Sequence, residues 1–308
     1  MYNNKITESH RRPIIFGEVL FDHFPDGSRV LGGAPFNVAW HLQGFGLFPI
    51  LISRVGEDSE ANDILSIMSS WHMDTNGIQI DGHYPTGAVN ITLEDGQPTF
   101  SIVPDQAYDF IEYNTMLERL AEQHMSLLYH GSLASRQPQS RETLARLKSR
   151  IAGRIFVDIN LREPWWSATS AKLLLRDAQW VKLNEEELQR LTNQLSGNES
   201  QLNEIANKFY KTFDLQLLIV TQGDAGARIY SSGNCIQGKP VAVDELSDTV
   251  GAGDAFSAVI LLGLHKGWPL ERTLNYALQF ASAVCGVRGA TIDDRKVYQH
   301  YLEQWEKE

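Results

Sequence analysis

The chain has 308 residues, 43% of them hydrophobic and 21% charged, which is enough to bury one large core with a small appended lobe. Its formal net charge of −11 at pH 7 disfavours nucleic acid or an anionic membrane as partner, since both need a basic face, but leaves room for a small anionic ligand at a local site. The two cysteines, Cys235 and Cys285, supply neither a metal spacing nor a disulfide framework and read as buried thiols in a reducing compartment.

The opening stretch from Met1 to Arg12 is polar and lacks the apolar run of a signal peptide, and no later run is long enough to span a bilayer, so a cytoplasmic protein is expected. Short apolar, β-rich runs occur at residues 14–17, 50–55, 127–130, 155–159, 180–183 and 217–221, alternating with helical stretches. That alternation predicts a mainly parallel sheet covered by helices. Ligands of such sheets collect at the carboxyl ends of the strands, where this chain places Glu18, Asp158, Asn160, Asn184 and Thr221. Residues 21–31, around Pro25-Asp26-Gly27, and 88–103, around Asp95-Gly96, break the alternation and predict two β-hairpins forming a small sheet over the main one. The first hairpin runs directly into the glycine pair Gly32-Gly33. No repeat or Pro/Ser-rich linker divides the chain, so residues 1–308 are expected to form one unit.

The strongest chemical signal is Asp248-Thr249-Val250-Gly251-Ala252-Gly253-Asp254, continued at once by an apolar run. Small residues opening a helix let the backbone approach a ligand, and the free N–H groups of the first turn make an anion site suited to phosphate. Asp254 falls in that turn, where its carboxylate can face a hydroxyl while the amides hold a transferring phosphoryl group. A lone Asp here would simply cap the helix, but a cap does not require the glycines before it. The helix N-terminus should lower the pKa of Asp254, which phosphoryl transfer tolerates because orientation matters more than basicity.

These residues resemble the C-terminal signature of the PfkB/ribokinase family of sugar kinases, and Gly32-Gly33-Ala34-Pro35-Phe36-Asn37-Val38-Ala39 resembles its N-terminal signature, with matching order and separation. The resemblance implies a ribokinase-like three-layer α/β/α core with a mainly parallel sheet and a small β lid. It implies Asp254 as catalytic base, the amides of Gly251, Ala252 and Gly253 as anion hole, and Asp22, Gly32, Gly33 and Asn37 as the grip on the sugar. Asn184 and Glu187 resemble a motif that holds phosphate and, through water, Mg²⁺. The run from Thr221 through Gly223 to Gly226 resembles a nucleotide loop, and Arg162 a residue that reaches nucleotide phosphate or substrate; Trp165-Trp166 reads as packing. Residues 277–291 resemble the border of adenine and of a monovalent-cation site, with Asp248 and Val250 as candidate K⁺ ligands.

The resemblance thus implies an ATP-dependent kinase of a small sugar, fructose first because the Gly-Gly-Ala-Pro-x-Asn-Val-Ala form is fructokinase-like. Ribose, ketodeoxygluconate and a nucleoside remain as other acceptors, and pairing of two copies through the lid is implied. A non-catalytic sugar or nucleotide sensor is the alternative from another class. A dinucleotide-dependent oxidoreductase would need a Gly-x-Gly-x-x-Gly after the first strand, which is missing.

Overall fold

Runs such as Ile14-Ile15-Phe16 are apolar at every position because the strands they form are covered on both faces. The structure is a computed structural model and describes residues 12–94, 97–151, 153–241 and 248–307. In chain order its strands are β1 (Arg12–Phe16), β2 (Leu20–His23), β3 (Arg29–Gly32), β4 (Ile50–Gly56), β5 (Ile78–Asp81), β6 (Gly87–Glu94), β7 (Gln97–Ile102), β8 (Met125–His130), β9 (Ile155–Asp158), β10 (Trp180–Asn184), β11 (Leu217–Thr221), β12 (Ala227–Ser231) and β13 (Asn234–Gly238).

Nine of them form one sheet in the order β13-β12-β11-β10-β9-β8-β1-β4-β5. Every pairing from β11 to β5 is parallel, whereas β12 and β13 finish the sheet antiparallel. The six runs expected from sequence are the neighbouring strands β11 to β4. Strands β5, β12 and β13 were not among them.

Alternate side chains pass to opposite faces. Ile15, Leu51, Leu127 and Ile219 enter a core shared with the helices Ala34–Gly44, Ser59–Ser70, Ala252–Lys266, Leu270–Cys285 and Arg295–Lys307. Ile14, Ile50, Leu128 and Val181 enter the other, against the helices Thr115–His124, Pro138–Ser149, Ala168–Leu175, Glu185–Thr192 and Glu199–Thr212. Three layers result. Helix Ala252–Lys266 is buried continuously from Ala255 to Gly263, since it packs on the sheet and also against helices Ala34–Gly44 and Leu270–Cys285. Each large apolar side chain it removes from water contributes about 1.5–3 kcal/mol, which fixes the start of this helix against the sheet edge.

Four strands make the second sheet, in the order β3-β2-β6-β7. The hairpin expected at 21–31 is β2–β3, closed by Asp26, whose Oδ1 accepts from Ser28 N at 2.9 Å and Ser28 Oγ at 2.6 Å. The hairpin expected at 88–103 is β6–β7; its Asp95-Gly96 turn lies outside the described residues. Parallel pairing of β2 with β6 joins the two hairpins.

One expectation is corrected. Cys235 lies on the edge strand β13 and is exposed, and Cys285, at the end of its helix, is half-buried, so neither is a core thiol.

Candidate active site

Four parallel strands end in the same place. β1 leads to Glu18, β9 ends in Asp158 and leads to Asn160, and β10 and β11 end in Asn184 and Thr221. Together with the β2–β6 sheet and the starts of two helices, they enclose a cavity of about 480 Å³. Its lining includes Asp22, Gly33, Asn37, Arg162, Asn184, Glu187, Thr221, Gly251, Gly253 and Asp254.

The two glycine-bearing segments meet here. Gly33 precedes helix Ala34–Gly44 with φ +106°, and a Cβ on it would stand 2.7 Å from the carbonyl oxygen of Glu18, so only glycine fits. Gly251 precedes helix Ala252–Lys266 with φ +79°, and its Cβ would stand 2.4 Å from Ala290 Cα. Asp254 lies in the first turn of that second helix and accepts a hydrogen bond from Asn37 Nδ2 at 2.8 Å, across 217 residues of sequence. Asn37 Oδ1 is buried and has no partner among the described residues.

The carboxyl of Asp254 behaves opposite to the expectation from the helix N-terminus. Burial pushes it up to about 6, against the Asn37 hydrogen bond and the charges of Lys182 and Arg162, which pull it down. Asp22, half-buried on β2, is likewise raised by burial to about 6. Both remain ionised at neutral pH.

Beneath the helix start lies a feature not singled out from sequence. Lys182, on the otherwise apolar strand β10, donates to both oxygens of Asp158 at 3.0 and 2.9 Å. Asp158 also accepts from Ser257 Oγ at 2.8 Å and Tyr129 OH at 3.3 Å. Burial works against the Lys182 ammonium, but Asp158, Asp254 and Glu187 more than offset it and hold its pKa above the ordinary value. Its Nζ stands 3.4 Å from where a Cβ on Gly253 would be, so a fixed positive charge lies under the glycines. A lysine inside a buried parallel strand was the signal in the sequence.

Asn184 and Glu187 form a reciprocal cap on helix Glu185–Thr192: Asn184 Oδ1 accepts from Glu187 N at 2.8 Å, and Glu187 Oε2 from Asn184 N at 2.9 Å. Glu187 Oε1 accepts from Leu161 N at 2.7 Å. Each Glu187 oxygen therefore keeps spare acceptor capacity at the cavity wall, which suits the water shell of a hydrated Mg²⁺ rather than direct ligation. Among the described residues no group of three or more His, Cys, Asp or Glu side chains is arranged to hold a metal ion.

Arg162 lines the cavity, and its charge acts on Glu18, Asp22 and Asp254. Its neighbour Glu163 pairs instead with Arg190 and Trp166 Nε1.

Other expected residues stand back from the lining. Gly32 ends β3 beside Asp22 Oδ2, while Gly223 and Gly226 shape the short turn between β11 and β12. Ala252 directs its N–H to Thr249 O at a long 3.4 Å, leaving Gly251 and Gly253 as the glycines that face the cavity. Asp248 Oδ1 accepts from Val250 N at 3.0 Å, and its own N–H donates to Cys285 O at 3.2 Å, which sets residues 248–251 beside 285–290. Val250 lines the cavity and is 47% exposed. The facing loop is anchored to the first signature's helix by Trp40 Nε1 donating to Ile292 O at 2.8 Å and His41 Nε2 to Ala290 O at 3.1 Å.

Similarity to known proteins agrees with this geometry. An uncharacterized sugar kinase of Pyrococcus horikoshii is 29% identical over 90% of this chain and 86% of its own, and its ATP complex superposes with a TM-score of 0.75 over 90% of this chain and 93% of its own. A fructokinase of Klebsiella pneumoniae is 31% identical over 81% of this chain and 83% of its own. The ribokinase-like fold extends to a fructokinase double mutant of Vibrio cholerae with fructose, ADP and potassium bound, at 23% identity and a TM-score of 0.77, covering 95% of this chain and 98% of that one. The pfkB family carbohydrate kinase model matches residues 6–296. With its two glycine segments closing on one aspartate at the edge of such a sheet, the chain belongs to the pfkB family and is a carbohydrate kinase.

Proposed function

We propose that this kinase transfers the γ-phosphoryl group of ATP to a hydroxyl of fructose. The observation that carries the phosphoryl-transfer reading is Asp254, in the first turn of a buried helix, held by Asn37 and lining one cavity with the glycine backbone and Asp22. Fructose is favoured by the Gly32 to Ala39 segment and by the Klebsiella fructokinase relationship.

Asn37 holds one Asp254 oxygen so that the other can accept the hydrogen bond of the attacking hydroxyl. As the bond from the sugar oxygen to the γ-phosphorus forms and the bond from that phosphorus to the β,γ-bridging oxygen breaks, ADP leaves with the bridging oxygen and the hydroxyl proton passes to the Asp254 carboxylate, whose pKa near 6 keeps it ionised and ready at neutral pH. The N–H groups about Gly251 and Gly253, with Lys182 behind them, face the charge that develops on the phosphoryl oxygens. Asp22, Gly33 and Asn37 position the sugar, and Arg162 faces both substrates. Thr221 and the turn through Gly223 and Gly226 border the nucleotide. Bound Mg²⁺ would neutralise phosphate charge, its water shell meeting Glu187 and Asn184. Potassium beside Asp248 and Val250 would stiffen the same loop. The β2–β6 sheet serves as a lid over the sugar, residues 1–308 act as one catalytic unit, two copies pair through the lids, and the enzyme works in the cytoplasm.

The test is ATP turnover with Mg²⁺ across fructose, ribose, ketodeoxygluconate, glucose and adenosine, with K⁺ present or replaced by a non-coordinating cation. Fructose-dependent turnover is expected, and its absence alongside robust turnover of another acceptor would overturn the fructose assignment. Equal rates with and without K⁺ would overturn the potassium site.

A further inference from the structure

The buried carboxyl side chains among the described residues are Glu18, Asp81, Asp109, Asp158 and Glu187. Four have partners on both oxygens or a bidentate cation. Asp81 meets Arg54 and the N–H groups of His83 and Tyr84, Asp109 meets the fork of Arg136, Asp158 meets Lys182, Ser257 and Tyr129, and Glu187 meets two backbone N–H groups. Glu18 differs. It is 5% exposed and lines the cavity, and although the backbone N–H groups of Glu18 and Ala134 act on its carboxyl, Oε2 is buried with no hydrogen-bond partner among the described residues. Such an acceptor is costly to leave unmade, so at the wall of a ligand cavity it calls for a donor that arrives with the ligand.

The surroundings of Glu18 say which ligand. It comes just after β1, and the close approach of Gly33 to its backbone places it between the hairpin that carries Asp22 and the helix that carries Asn37. Its charge interacts with Arg162 and Asp254. The nucleotide-side residues Asn184 and Thr221 come from other strands, β10 and β11. We infer that Glu18 is an acceptor-binding residue whose open oxygen takes a sugar hydroxyl, and that Glu18, Asp22 and Asp254 together select an uncharged polyhydroxylated acceptor over a phosphorylated or carboxylated one. The inference rests on the proposed reading that this end of the cavity holds the acceptor.

Charge balance supports the selection. Five carboxyl groups, Glu18, Asp22, Asp158, Glu187 and Asp254, line the cavity against two cations, Arg162 and Lys182, so a further anion would enter a site already short of positive charge. The competing occupant is an internal water joining Glu18 to Tyr108 OH and Arg136 Nη1, which are also buried without hydrogen-bond partners among the described residues and interact with its charge.

The experiment compares wild type, Glu18→Gln and Glu18→Ala with fructose, fructose 6-phosphate and ketodeoxygluconate, measuring kcat and KM for acceptor and for ATP, fructose binding by calorimetry, and thermal melting. Wild type should prefer the uncharged sugar. Glu18→Ala should raise its KM and weaken its binding about tenfold or more, with the KM for ATP within about twofold. Glu18→Gln, which keeps shape but loses charge, should narrow the preference against the anionic acceptors by about tenfold, and it carries the test if the alanine variant does not fold. Unchanged fructose KM and binding in both variants, with only the melting temperature altered, would assign Glu18 to the water and overturn the inference while leaving the kinase reading intact. A wild type without turnover on any acceptor overturns both.

Discussion

Replacing Lys182 by methionine should separate two roles of one ammonium group. Its Nζ lies 3.0 and 2.9 Å from the Asp158 oxygens, and Asp158 is 2% exposed. At about 3 Å and an effective dielectric constant of about 20, the attraction is roughly 5–6 kcal/mol before desolvation. Removing one partner of a buried pair typically costs about 3–5 kcal/mol, because the remaining charge is left uncompensated. The hydroxyls of Ser257 and Tyr129 still bond Asp158, which places the expected loss near the lower end. At about 2–3 °C per kcal/mol for a chain of this length, the melting temperature should fall by roughly 6–10 °C. Lys182→Met with Asp158→Asn removes the stranded charge and should recover at least about half of that loss. Activity should not recover with it. The ammonium also lies beneath Gly253, so turnover should stay down by about 100-fold in both variants. Thermal unfolding monitored by circular dichroism, beside a coupled ATP assay, reads both quantities. A single variant melting within about 2 °C of wild type, or a double variant that regains turnover with stability, would refute the reasoning.

Asp254→Asn should lower kcat by about 10³-fold with little change in the KM for ATP, as steady-state kinetics will show. On the proposed mechanism the ionised carboxylate, with its pKa near 6, is the working form, so kcat/KM should be full above that pH and fall about tenfold per unit below it. For stability the raised pKa of Glu18 has the opposite consequence: the folded protein binds more protons than the unfolded chain between about 4.5 and 7, so Glu18's contribution falls as pH rises through that window. Glu18→Gln should therefore be more stable than wild type at pH 8, by about 1–3 kcal/mol in denaturant titration, and show no such gain at pH 4. Gly251→Ala forces a side chain to 2.4 Å from Ala290 Cα at φ +79°, so it should cost about 2 kcal/mol or more in the same titration and depress kcat more than acceptor KM.

Legibility in the sequence tracked unbroken apolar runs. The strands from β11 to β4 are continuous apolar runs because both faces are covered, so they announce themselves. β12 is buried at four of its five positions but is broken by Arg228, and the exposed edge strand β13 reads Asn-Cys-Ile-Gln-Gly; neither shows an unbroken apolar run, and both passed unseen. The glycine segments were visible because close backbone approach demands glycine, as at Gly33 and Gly251. The Asn37–Asp254 contact was not, since nothing local encodes a pairing across 217 residues. Lys182 and Glu18 show the remaining gap. One looked like part of a strand and the other like any polar strand end, and only their neighbours in space reveal a stabilised charge in the first and an open oxygen in the second. The pKa of Asp254 went the other way from a local argument because burial outweighs the helix terminus.

The bond between Asn37 and Asp254 also bears on how the enzyme comes into being. Its donor is made early in synthesis and its acceptor in the last fifth of the chain, so a growing or truncated polypeptide that stops short of residue 254 cannot close this contact. On the proposed mechanism, turnover therefore serves as a readout that the first and last segments have found each other.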